Sequence, residues 1–225
     1  MDQTKLQTKN NGAVILPGVN FKFPRWMECT WRRVPCNKKS CAICGKVNRH
    51  MAEHMEHDEH VHDVGVEFED ITHSLRHALT MIKRDAKRLG IDISNIDTIK
   101  EPPRPSSFPL YRKANAWNKG VFELYEAAHD EGALWIFTEA AADLSWYAEL
   151  IASKTYRQLC NRWHLDQGDQ YGDVDYAYTK YVLGECSTIL KRSLDELVRL
   201  PSEHKGELAS VCSSFLKFET TISEI

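Results

Sequence analysis

The chain has 225 residues and a mass of 25.9 kDa, enough for one medium core or a core with an appendage. Hydrophobic residues at 42% and charged residues at 27% strike an ordinary globular balance that excludes disordered and fibrous classes, and no apolar run approaches the roughly 18 residues of a membrane span. The formal net charge of −3 hides a split: residues 1–49 carry ten Lys/Arg against Asp2 and Glu28, while the remainder carries 19 basic and 30 acidic residues. A basic arm of this kind points to something negative, either nucleic acid or an acidic protein surface, the body of the same chain included.

Residues 1–20 read as a flexible lead. The opening MDQTKLQTKNNG is polar and unlike a secretory signal, so the expected location is the cytoplasm, with no membrane partner. Seven cysteines, an odd number, fit a reducing compartment where thiols serve metals or packing. Cys160, Cys186 and Cys212 stand singly in helical stretches and read as small buried hydrophobes.

Residues 21–49 form the expected module. Cys29 is followed by Cys36-Asn-Lys-Lys-Ser-Cys41-Ala-Ile-Cys44-Gly45, four thiols within sixteen residues amid arginine, lysine and tryptophan. Pro24 and Pro35 interrupt any helix, and a unit this small needs a metal in place of a core. A tetrahedral Zn²⁺ takes four soft ligands at roughly 2.3 Å. Cys29, Cys36, Cys41 and Cys44 are therefore the expected ligands of one structural zinc per chain, with His50 or His54 able to replace Cys29. Ligation of an iron–sulfur cluster, a redox dithiol at Cys41/Cys44 and unligated packing thiols compete with this reading. Lys38, Lys39 and Lys46 would partly offset the −2 charge of a tetrathiolate site.

The same stretch interleaves aromatic and basic residues. Arg25, Arg32, Arg33, Lys38 and Lys39 suit phosphates, and Trp26 and Trp31 suit unpaired bases, so single-stranded RNA or DNA is the expected partner class. The plainer alternative has the aromatics docking the module on the helical body while the arginines pair with its acids.

Residues 50–225 read as helices. A helix opens near Lys46, and five histidines crowd residues 50–62, with His50, His54 and His57 on one face. An amphipathic helix then runs to about Leu89, with Phe68, Ile71, Leu75, Leu79, Ile82, Ala86 and Leu89 as its stripe and Gly90 as its stop. A Pro-rich loop fills residues 100–110. Three helices follow over about 114–131, 133–164 and 173–200, and a last one opens after Pro201 with Ser202 as cap. Leu134, Phe137, Leu144, Ile151 and Thr155 mark the core face of the second of these. Strand signals are confined to residues 14–16 and Val34. The expected fold is all-α, a four- to five-helix antiparallel bundle with a small N-terminal zinc-bound irregular module.

Catalytic signatures are sparse. No phosphate-binding glycine loop, nucleophile elbow or His-Glu-x-x-His occurs. A di-metal carboxylate bundle would need acid-x-x-His pairs on facing helices. Asp70 with His73, Glu126 with His129, and Glu139 offer such ligands, though chance supplies one or two such pairs and the chain has three. Arg157, Asn161 and His164 share a polar helical face that suits either a ligand floor or an ion-pair seam. The reading is a zinc-binding adaptor, non-enzymatic in its leaning, whose basic module meets nucleic acid or an acidic protein. The alternatives are the di-metal bundle enzyme and a purely structural zinc-clipped scaffold.

Overall fold

The architecture comes from a computed structural model, which describes residues 13–16, 22–56, 64–90, 101–168 and 172–225. Short strands β1 (Ala13–Ile15) and β2 (Lys22–Pro24) pair antiparallel, Val14 opposite Phe23, and a 3₁₀ turn follows over Arg25–Thr30. The helices are α1 (Ala42–Glu56), α2 (Val64–Leu89), α3 (Pro109–Asp130), α4 (Glu139–Asp166), α5 (Gly172–Arg199) and α6 (Lys205–Glu224). The described chain is thus all-α apart from one small hairpin.

Contacts divide it into two compact units, Met1–Val34 with Pro102–Ile225, and Pro35–Glu101. In the first unit short links fold α3 to α6 into an antiparallel bundle. α4 packs on α3 and α5, and α6 on α5 and α3. The core lies along the inner faces: Val121 and Leu124 from α3, Leu144 and Ile151 from α4, Val182, Leu190 and Leu194 from α5, and Leu208 and Phe215 from α6. Burial of such a shared face stabilises a bundle at roughly 25 cal/mol per Å² of apolar surface removed from water.

Local chemistry sets the helix ends, and here the structure corrects the expected limits. Proline with its fixed φ is welcome at the first helical position, so α3 begins at Pro109 and not near residue 114. Gly132, at φ +70°, ends it, and the Ala133 N–H donates to Ala128 O at 2.8 Å. The helix expected from residue 133 starts later. Residues Leu134–Phe137 form a 3₁₀ turn, and the Thr138 hydroxyl caps α4 by accepting from the Ala141 N–H at 3.1 Å. Leu134 and Phe137, placed on the core stripe by periodicity, are consequently exposed, at 83% and 78%. At the other link α6 begins at Lys205, and Ser202 is no cap but accepts from the His204 N–H.

In the second unit, α1 starts at Ala42 and not near Lys46, which puts Cys44 and Gly45 inside its first turn. Of the described side chains in the expected α2 stripe, Leu75, Leu79 and Ile82 are exposed and Ala86 is buried. Periodicity fixes which face of a helix is apolar, not what lies on it. His57, His60 and His62 fall outside the described residues, as do the side chains of Phe68, Asp70, Ile71 and Leu89.

A four-cysteine candidate metal centre

The Sγ atoms of Cys29, Cys36, Cys41 and Cys44 all lie within 4.8 Å of one another, and those of Cys36 and Cys44 are 3.5 Å apart. None of the four is in a disulfide. Four sulfurs at about 2.3 Å from a tetrahedral ion sit about 3.8 Å from each other, so the observed spacing needs an adjustment of an ångström at most. The donor set is therefore the right type and nearly the right size for a soft or borderline metal. Among the described residues no other group of three or more His, Cys, Asp or Glu gathers within reach of one ion.

The backbone builds this spacing locally. Asn37 takes a left-handed conformation, φ +50°, which asparagine tolerates better than most residues. The Cys41 N–H then donates to Lys38 O at 2.9 Å, and the Gly45 N–H to Cys41 O at 2.8 Å, closing a tight turn directly into α1. Gly45 is required there, since a Cβ at this position would stand 2.8 Å from the Lys39 carbonyl oxygen. The positive end of the α1 dipole faces the same sulfurs and suits the charge of a tetrathiolate site. Of the alternative fourth ligands, His50 turns its Nδ1 to Glu53 at 3.5 Å, and neither His50 nor His54 belongs to the sulfur cluster.

The basic aromatic residues separate into two groups. Phe23 and Trp31 are core. Phe23 stacks on Tyr178 with ring centroids 4.8 Å apart, while the Trp31 indole, 0% exposed, donates to the Tyr178 hydroxyl. Trp146 returns a hydrogen bond from its Nε1 to Trp31 O at 2.9 Å. Burial raises the Tyr178 phenol above its ordinary pKa, with the Trp31 hydrogen bond working against it. Trp31 is thus not a stacking surface for bases, because both its faces and its N–H are spent inside the bundle.

Arg33 binds Asp143 through Nε at 2.7 Å and Glu139 through Nη2, and its backbone N–H donates to the Tyr147 hydroxyl. The Asp143 and Glu139 hydrogen bonds raise its pKa further. Arg32 sits over the Trp31 ring at 4.7 Å and faces Glu28 at 3.5 Å and Glu185 at 3.6 Å. Burial lowers the Arg32 pKa, but the Glu28 carboxylate and the other nearby anions outweigh it. The remaining contact residues are available: Arg25, Lys38 and Lys39 are exposed, and Trp26 is 41% exposed.

Among the described side chains, those expected at a second, di-metal site form no cluster. Glu126 and His129 are exposed on α3, Glu139 is taken by Arg33, and His73 is exposed on α2. The polar face of α4 resolves into a seam with α5: Arg157 forks onto Asp175 at 2.6 and 2.9 Å, and Asn161 donates to Thr179 at 3.4 Å. Glycine directly after the Cys41-x-x-Cys44 pair is the sequence signal for this tight backbone, and the close approach of the Lys39 carbonyl agrees with it. No helix among the described residues is long and apolar enough to cross a membrane. No known family model matches the chain, and neither a curated protein nor a solved structure matches it.

Proposed function

We propose that the chain is a zinc-binding protein in which Cys29, Cys36, Cys41 and Cys44 hold one structural Zn²⁺ and nearby exposed cations take a single-stranded nucleic acid. The convergence of the four sulfurs carries this reading. Four thiolates leave no open coordination position, so the ion acts as a clip that fixes the loop over residues 29–44 and supplies no Lewis-acid chemistry. Arg25, Lys38 and Lys39 remain free of ion pairs with described residues and suit phosphate oxygens, and Trp26 keeps an exposed ring face for one base. With Trp31 and Arg33 committed to the bundle, the footprint is small, which favours a short single strand over a duplex.

A second reading follows from the same docking. If the clip serves only to hold residues 29–44, the chain is a protein–protein scaffold with no nucleic-acid partner, and the fate of Trp31, Arg32 and Arg33 supports it. Elemental analysis of untagged protein, paired with oligonucleotide binding at low and raised salt, tests both. One zinc per chain, with binding that weakens steeply above about 50 mM salt, supports the first reading. One zinc without binding leaves the scaffold, and protein that binds no metal removes both.

A further inference from the structure

On the outer side of the bundle α3 and α6 leave a trough of about 890 Å³ that no part of the zinc reading uses. Its lining repeats at helical spacing on both walls: Ala116, Trp117, Gly120 and Leu124 along α3, and Ser210, Val211, Ser214 and Phe218 along α6. Large residues form the floor, with Trp117, Leu124 and Phe218 buried. Small residues at Ala116, Gly120, Ala127, Ser210 and Ser214 leave the space above it open.

The ends of the trough differ in charge. Lys113 and Lys217 line one end, and Glu131 and Glu207 the other, with Glu123 between them on the acidic side. Eighteen residues of α3 separate Lys113 from Glu131, a span of about 27 Å. Lys113, Lys217, Glu123 and Glu207 have no ion pair with any described residue. On α3 these charges also run against the helix's own macrodipole, because its first turn has no acid, Lys113 lies near its start and Glu131 is its C-cap. Lys113, held against the α3 dipole and left unpaired, costs the isolated chain stability that a partner's acidic end would recover. At the acidic end His204 lines the trough, its side chain more than nine-tenths buried, with Nε2 3.4 Å from Glu131 and Nδ1 lacking a hydrogen-bond partner.

We propose that this trough docks an amphipathic helix of a partner protein. The partner's apolar stripe lies along Trp117, Leu124, Val211 and Phe218, its acidic end beside Lys113 and Lys217 and its basic end beside Glu123, Glu131 and Glu207. A small apolar ligand fits less well, since such sites enclose 70–90% of their ligand whereas this trough is open along its length. A helix needs only one stripe covered, and it matches both the length and the two-ended charge.

Two fluorescein-labelled helical peptides of about 18 residues, with leucines at i, i+3, i+4 and i+7, test this on the full chain by fluorescence polarisation. One carries Glu at one end and Lys at the other, and the second carries Lys at both ends. Wild-type protein is expected to bind the first roughly tenfold more tightly. K113E/K217E should reverse that order by making both ends of the trough acidic. Gly120→Trp fills the trough at a position where an added Cβ meets nothing within 4 Å, and it should remove binding of both peptides with the circular dichroism unchanged. Ala127→Trp serves in its place if the first variant misfolds.

Failure of both peptides to bind overturns the proposal, as does an order of affinity that K113E/K217E leaves unchanged. Binding that survives both tryptophan variants overturns it too. Decanoate binding without peptide binding would assign the trough to a small amphiphile instead. Concentration-dependent self-association abolished by Gly120→Trp, without peptide binding, would assign it to a second copy of the chain.

Discussion

Trp31 and Tyr178 stand 147 positions apart in the chain, and the indole Nε1 of one donates to the hydroxyl of the other at 3.1 Å inside the core. A tryptophan followed by two arginines is thereby a structural element of the bundle. Trp31→Ala should cost about 3–5 kcal/mol, lowering the melting temperature by roughly 10 °C. Tyr178→Phe should cost about 1–3 kcal/mol, because it leaves a buried N–H without its acceptor. Calorimetry of both variants checks this, and a Trp31→Ala loss below that of Tyr178→Phe would contradict the burial.

The Arg33 fork makes a second, independent demand. Its Nε bond goes to Asp143, itself only 16% exposed, whereas Glu139 is 86% exposed. Most of the stabilisation therefore comes from Asp143. Arg33→Ala should cost about 1–2 kcal/mol in urea unfolding and Glu139→Ala close to nothing. Arg33→Lys should recover less than half, since a single ammonium cannot reproduce the planar fork.

What the sequence made legible follows from the range of the physics involved. Metal ligation imposes local spacing, so Cys29, Cys36, Cys41 and Cys44 could be grouped from the chain alone. Helical period marked the stripe of α4, where Leu144 and Ile151 are core. The period failed at Leu134 and Phe137 because the Thr138 cap starts a new helix and breaks the phase. Composition also could not assign Trp31 or Arg33. Their roles depend on Tyr178 and Asp143, more than a hundred positions away, and a stacking tryptophan and a docking tryptophan have the same neighbours in sequence.

The thiols should fall into separate reactivity classes. Burial pushes the Cys186 thiol up to about 12 and raises Cys160 and Cys212 as well, and a protonated thiol is a poor nucleophile. With metal bound, the native protein should react slowly with a disulfide reagent, and Cys186 should react only on unfolding. A chelator should release four more reactive thiols, those of the sulfur cluster. Mass spectrometry of the labelled residues checks the assignment. Early labelling of Cys186, or no change on chelation, would contradict it.

The α4–α5 seam gives a pH dependence whose sign can be worked out. Burial pushes the Asp175 carboxyl up, but hydrogen bonds from Arg157 and Asn161 and the charges of Arg157 and Lys154 prevail and hold it below its ordinary value. A depressed folded-state pKa stabilises the protein above the unfolded pKa of about 3.9, and that share is lost as pH falls through the folded value. The Arg157 side chain is 55% exposed, so solvent screening limits the effect to under about 1 kcal/mol. Asp175→Asn should therefore be slightly less stable than wild type at neutral pH, and the gap should close below about pH 4. Urea midpoints measured across that range check it, and a gap that widens in acid would reverse the sign.

Gly45 separates helix stability from metal binding. Glycine within a helix costs about 0.5–1 kcal/mol relative to alanine, so Gly45→Ala taken alone favours α1. The new Cβ, however, would stand 2.8 Å from the Lys39 carbonyl oxygen, a backbone atom that cannot rotate away. The turn that brings Cys41 and Cys44 toward Cys36 must open to admit it. Gly45→Ala should then weaken zinc binding by about tenfold or more in competition with a chromophoric chelator, while helix content holds or rises. Gly120→Ala, where the added Cβ meets nothing within 4 Å, is the control and should leave zinc affinity unchanged. Equal affinity in all three proteins would mean that the loop yields at no cost, and that the close approach of Lys39 to Gly45 does not hold the sulfurs in place.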